Sequence, residues 1–172
     1  MNGANRRIIL PMPRVARIIA PHYPHHITQR GNNRADVFFD DEDRATYLSL
    51  LKDYRERSSV DVWAYCLMPN HVHIIGEIEN SQNLCKFMHG LNRSYTLYYN
   101  DVYKKVGHLW QGRFKSKIIV KDEYLISCIN YIELNPIRAG LASSPEKYNW
   151  SSYKERVLST GKICGLINSI SI

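Results

Sequence analysis

Two imidazoles stand two residues apart in the segment Met68-Pro69-Asn70-His71-Val72-His73-Ile74-Ile75. On a β-strand, side chains at i and i+2 project to one face. His71 and His73 therefore stand side by side, with Val72 turned into the core. Neighbouring neutral imidazoles suit a divalent cation, but two nitrogens alone hold a hard cation weakly, so a third oxygen or nitrogen ligand is required. A tyrosine close to such a metal would make the site fit for cutting nucleic-acid strands, because a phenol becomes a nucleophile once deprotonated. The segment Tyr131-Ile132-Glu133-Leu134-Asn135-Pro136 offers both groups. Tyr131 and Asn135 are four apart and share a helix face, while Ile129 and Ile132 face the core. Asn135 is either an oxygen ligand or the end of its helix, since a residue before proline is biased out of helical geometry.

The elements that must position these groups follow from the pattern of the chain. Residues 23–30 form a first strand, closed by the turn signal Gly31-Asn32-Asn33. Asp40 and Asp41 open a helix with Tyr47, Leu48, Leu51 and Tyr54 at helical spacing, ending near Ser58-Ser59. Val60 to Leu67 is rich in β-branched and aromatic residues and pairs as a hairpin with a strand from His71 to Ile78. Ser81 is expected to cap a helix over 82–105, with Leu84, Phe87, Met88, Leu91, Tyr95, Tyr98 and Val102 on one face and Gly107 ending it. Phe114 to Val120 is a fourth strand. Asp122 is expected to cap a helix running to about Leu134 and stopped by Pro136, and one more short helix follows within 145–153. The order β-α-β-β-α-β-α is an α+β, ferredoxin-like split β-α-β pattern, an antiparallel sheet with helices on one face.

The chain has 172 residues, enough for one domain with a substantial core. It carries 23 Lys and Arg against 16 Asp and Glu, a net charge of +7 that favours a polyanionic partner. Cys66, Cys85, Cys128 and Cys164 are widely spaced, with no Cys-x-x-Cys, which argues against a zinc ribbon or redox pair. They read as buried free thiols of a reducing, cytoplasmic compartment. No apolar run approaches the roughly 20 residues of a membrane helix, so no membrane partner is expected. Residues 1–21 read as a basic arm carrying Arg6, Arg7, Arg14 and Arg17, residues 22–140 as the main domain, and residues 141–172 as a tail packed on it or extending from it.

Together these motifs carry a resemblance. Pro69-Asn70-His71-Val72-His73 resembles the His-hydrophobic-His motif of the HUH single-strand endonucleases, and Tyr131 with Asn135-Pro136 resembles the single-tyrosine helix of the IS200-like transposases. Thr28-Gln29-Arg30-Gly31-Asn32, Gly107-His108-Leu109-Trp110-Gln111-Gly112-Arg113-Phe114-Lys115-Ser116 and Trp150-Ser151-Ser152-Tyr153 resemble the REP-associated tyrosine transposase branch. The resemblance covers about residues 12–155. It implies a metal-dependent endonuclease and strand transferase that cuts single-stranded DNA beside a hairpin through a 5′-phosphotyrosine. It further implies Tyr131 as nucleophile, His71 and His73 as ligands of Mg²⁺ or Mn²⁺, and action as a monomer or homodimer. Many IS200-like enzymes place a glutamine four residues after the tyrosine as third ligand. Here Asn135 is one methylene shorter, so it either ligates directly or holds the helix end while Glu133 or water completes the shell.

Contacts to DNA are expected from Lys115 and Lys117, which alternate to one face of their strand, and from Arg30, Arg34, Arg93 and Arg113 on phosphates. Trp110 and Tyr99 are expected to stack unpaired bases. Two other readings remain open: a hairpin DNA- or RNA-binding module without chemistry, and a plain ferredoxin-like domain that binds adventitious metal.

Overall fold

The computed structural model describes residues 18–120, 122–158 and 165–168. Most of the basic arm, the side chain of Asp122 and Cys164 lie outside them.

Four antiparallel strands, β1 (His25–Arg30), β2 (Val60–Met68), β3 (His71–Ile78) and β4 (Lys115–Ile118), line up in the order β2-β3-β1-β4. This is the expected α+β arrangement. Between the strands run α1 (Asp41–Arg57) and α2 (Ser81–Val102), and after them α3 (Asp122–Glu133), α4 (Asn135–Arg138) and α5 (Tyr153–Leu158). Asp40 caps α1 by accepting from the Asp43 amide at 2.9 Å. The cap of α2 is Asn80, which accepts from the Gln82 amide at 2.9 Å, rather than Ser81. That helix also stops at Val102, earlier than expected, because Lys104 turns left-handed (φ 50°), and Gly107 lies in the loop beyond.

Directly paired residues of an antiparallel sheet share a face. The register pairs Ile27 with Ile74 and Leu67 with Val72, and these four are fully buried. Their face takes the core formed with Tyr47, Leu48 and Leu51 of α1 and Leu84, Phe87, Leu91 and Tyr95 of α2. The other face carries the pairs Arg30–His71, Thr28–His73, Cys66–His73, Thr28–Lys115 and His26–Lys117. α3 lies against β2 on this second face, with Leu125, Ile129 and Ile132 buried. Among the described residues, the β3, β1 and β4 part of that face is more open, with Arg30, Lys115 and Lys117 exposed.

β2 is an outer strand, and the tail runs along its outer edge. The Leu67 amide donates to the Trp150 carbonyl at 2.8 Å and the Ser152 amide to the Tyr65 carbonyl at 2.9 Å. Farther along, the Asn168 amide donates to the Val62 carbonyl at 2.7 Å. The Trp-Ser-Ser segment is thus a short extra rung of the sheet. Cys66 is a buried free thiol as expected, whereas Cys85 is exposed on α2.

Candidate metal and nucleophile site

β3 presents His71 and His73 on one face, with ring centroids 4.9 Å apart and Val72 fully buried behind them. The hydrogen bonds of the hairpin settle which nitrogen of His71 is available. Asn70 Nδ2 donates to the Arg34 carbonyl at 3.0 Å, which turns its Oδ1, a pure acceptor, toward His71 Nδ1 at 2.6 Å. His71 therefore carries its proton on Nδ1 and keeps a lone pair on Nε2. The Nδ1 of His73 is also occupied, 2.8 Å from Nε2 of His26 on β1. Each of the two imidazoles so has Nδ1 engaged and, among the described residues, no partner on Nε2.

Charge and burial keep these rings neutral. Burial, and then the charge of Arg30, push His71 down to about 4. Burial pushes His73 down to about 3, helped by His26, His71, Arg30 and Arg138. His26 is lowered by burial and by Lys117. Neutral rings with free Nε2 atoms are the form a divalent cation requires. Among the described residues, no three His, Cys, Asp or Glu side chains converge as a metal site. Among the described residues, a third donor would be an amide, a hydroxyl or water.

Tyr131 lies near the C-terminal end of α3 and is 52% exposed. α3 stops at Glu133 and the chain turns again into α4, with Pro136 in its first turn, where a missing amide costs nothing. Arg138 at the end of α4 gathers the group. Its guanidinium carbon lies 4.2 Å from the Tyr131 ring centroid. It donates to the Tyr131 carbonyl and, at 2.9 Å, to Asn135 Oδ1. Its charge also helps to lower His73. A carbonyl oxygen has two lone pairs, so the bond from Arg138 leaves Asn135 Oδ1 one for a metal.

Glu133 does not complete a metal shell. It is fully buried, accepting from Ser152 Oγ at 2.6 Å and held by the Arg156 guanidinium. The expected DNA-contacting residues separate into two groups. Arg30, Lys115 and Lys117 are exposed on the imidazole face. Arg93 and Arg113 instead line a groove of about 1170 Å³ between α2 and the 108–114 loop. Arg34 is exposed beside the hairpin turn, which its carbonyl braces. Trp110 is not a free stacking platform. It is 9% exposed, packs its ring near Tyr47 and Tyr95, and donates its indole N–H to the Asn92 carbonyl. Tyr99 packs against Phe39 and Tyr103.

Sequence reasoning missed His26, Asn70 and Arg138. The alternation of His26, Thr28 and Arg30 in β1 was visible, but nothing local reveals which residue of β3 each one faces.

Comparison with known proteins adds a family. The model of the family described as "Transposase IS200 like" matches residues 21–135. A Haemophilus influenzae protein whose name places it among REP-associated tyrosine transposases is 25% identical over 122 residues, 64% of this chain and 69% of that protein. The fold is similar to a solved structure of a REP-associated tyrosine transposase bound to a REP hairpin. That match has a TM-score of 0.66, 15% identity and 86% of each chain covered.

Proposed function

The chain belongs to the IS200-like transposase family, and on that premise we propose that it cuts and rejoins single-stranded DNA beside a hairpin, with Tyr131 as nucleophile. The observation that carries this reading is the pair of neutral imidazoles, each with Nδ1 engaged and Nε2 free, set on a sheet face with Arg30, Lys115 and Lys117. Such a face collects phosphates without regard to sequence. The hairpin in the related solved structure supports the same class of partner here.

In the proposed reaction Tyr131 Oη gives up its proton and bonds to the phosphorus of a phosphodiester. The bond from phosphorus to the 3′ oxygen breaks, and that oxygen takes up a proton. The products are a 5′-phosphotyrosine and a free 3′ hydroxyl. Attack by a 3′ hydroxyl on the phosphotyrosine reverses each change and restores the phenol, so strands rejoin without a nucleotide cofactor. Mg²⁺ or Mn²⁺ held by His71, His73 and Asn135 would neutralise phosphate charge and favour the phenolate. Arg138, already against the Tyr131 ring, adds a fixed positive charge where negative charge develops. Arg30, Lys115 and Lys117 hold the flanking backbone.

A denaturing gel tests this reading. A labelled hairpin with single-stranded flanks and Mn²⁺ should give a covalent protein–DNA adduct with wild type and none with Tyr131→Phe or His71→Ala. Binding without an adduct in any metal would favour the binding-module reading. An adduct that persists in Tyr131→Phe would show that another residue is the nucleophile.

A further inference from the structure

β1 places a third imidazole beside the pair. His26 Nε2 lies 2.8 Å from His73 Nδ1, and the two rings sit 5.1 Å apart at 30°. His26 and His73 are not paired across the ladder: His26 is opposite Ile75, and His73 is opposite Thr28. The contact is therefore diagonal across one sheet face, from β1 to β3. Two neutral imidazoles meeting nitrogen to nitrogen share one proton. If His26 donates, His73 must carry its own proton on Nε2 and cannot bind a cation there. If His73 donates, its Nε2 keeps a lone pair. Of the two arrangements, only the second leaves His73 a ring nitrogen for a cation. Asn70 solves the same problem for His71 with an amide oxygen.

We propose that His26 is a positioning residue: it accepts the Nδ1 proton of His73 and so holds that ring in the tautomer and orientation that offer Nε2 to a divalent cation. This rests on the reading of His71 and His73 as metal ligands. A ligating histidine anchored through its other nitrogen is a common design, and loss of the anchor typically costs about 10–100-fold in metal affinity. His26 does not itself complete a three-ligand cluster with the other two rings. Its ring nitrogen faces His73, not a common point in front of the pair.

The test uses the full chain and two variants. His26→Leu removes the acceptor; His26→Gln keeps an oxygen acceptor near the position of Nε2. Long-range ¹H–¹⁵N spectra of the metal-free protein, labelled at histidine, read the tautomer directly. Wild type and His26→Gln should show His73 protonated on Nδ1, and His26→Leu should shift it toward Nε2–H, the form favoured by a free side chain. Titration with Mn²⁺ alone should show affinity about 10–100-fold weaker in His26→Leu and largely restored in His26→Gln, with His73→Ala marking loss of the site. An Nε2–H His73 in wild type overturns the proposal, as does unchanged Mn²⁺ affinity in His26→Leu while His73→Ala loses binding. Equal loss of affinity in His26→Gln and His26→Leu, with the His73 tautomer unchanged in both, overturns it too. If wild type and His73→Ala bind Mn²⁺ equally poorly, the metal reading fails, and this proposal fails with it.

Discussion

Removing Arg156 should destabilise the protein and displace the nucleophile helix. Glu133, two residues from Tyr131, is fully buried, and its carboxylate is held by Arg156 and by Ser152 Oγ at 2.6 Å. Ser152 Oγ in turn lies 3.0 Å from the Tyr65 amide on β2. The end of α3 is thus tied to the sheet through one carboxylate. In Arg156→Met that carboxylate keeps, among the described residues, a single hydroxyl partner. Breaking a buried pair from one side costs about 3–5 kcal/mol. Because the Arg156 side chain is 29% exposed, water screens part of the attraction, and the expected loss is about 2–3 kcal/mol. For a chain of this size that is a fall of roughly 5–10 °C in Tm. Urea and thermal unfolding would measure it. Adding Glu133→Gln to Arg156→Met should recover part of the loss, because the orphaned charge is gone. Adduct yield, compared at equal folded fraction, should also fall in Arg156→Met. A loss under about 1 kcal/mol, or a double variant no better than Arg156→Met, would refute the view that this pair anchors the helix.

Two further outcomes follow from the site. Arg138→Ala should lower the rate of adduct formation by about 10–100-fold, more than it lowers hairpin affinity in a filter-binding assay; equal losses in both would make Arg138 only a phosphate contact. Acid should destabilise the metal-free protein through His71 and His73. Their folded-state values, about 4 and about 3, lie below the ordinary 6.5, so the unfolded chain binds protons first. Stability then falls as pH drops below 6.5, by about 2 kcal/mol for each ring at pH ~5, and levels off near the folded values. Urea unfolding of wild type against a His71→Gln, His73→Gln variant should show a shallower pH dependence in the variant; identical slopes would contradict this.

Much of this arrangement was legible because it depends on local periodicity. The alternation around Val72 placed two histidines on one strand face, and Asp40 marked the start of α1. The short-range code also set Ile129 and Ile132 against the sheet. What it could not give were contacts fixed by register or by distant segments. His26 and His73 are 47 residues apart and meet only because β1 pairs with β3 in one particular alignment. Glu133 looked like a metal ligand because nothing near it in sequence shows that Ser152 and Arg156 return to claim it. Trp110 looked like a stacking ring, yet the bridge between Gly31 and Trp110 folds it onto Tyr47 and Tyr95. Asn80 prevailed over Ser81 as a cap because the chain leaves β3 two residues earlier, at Ile78.

The tail segment on β2 bears on how two copies of this chain could meet. An outer strand with open amides and carbonyls invites another strand to add to it. Along Val62, Tyr65 and Leu67 those groups are already taken by Asn168, Ser152 and Trp150. At the opposite border β4 is only four residues long and exposes Lys115 and Lys117, whose like charges would oppose each other across a twofold axis. A continuous sheet running from one copy into the next would have to peel off the tail at one border or bring lysines together at the other.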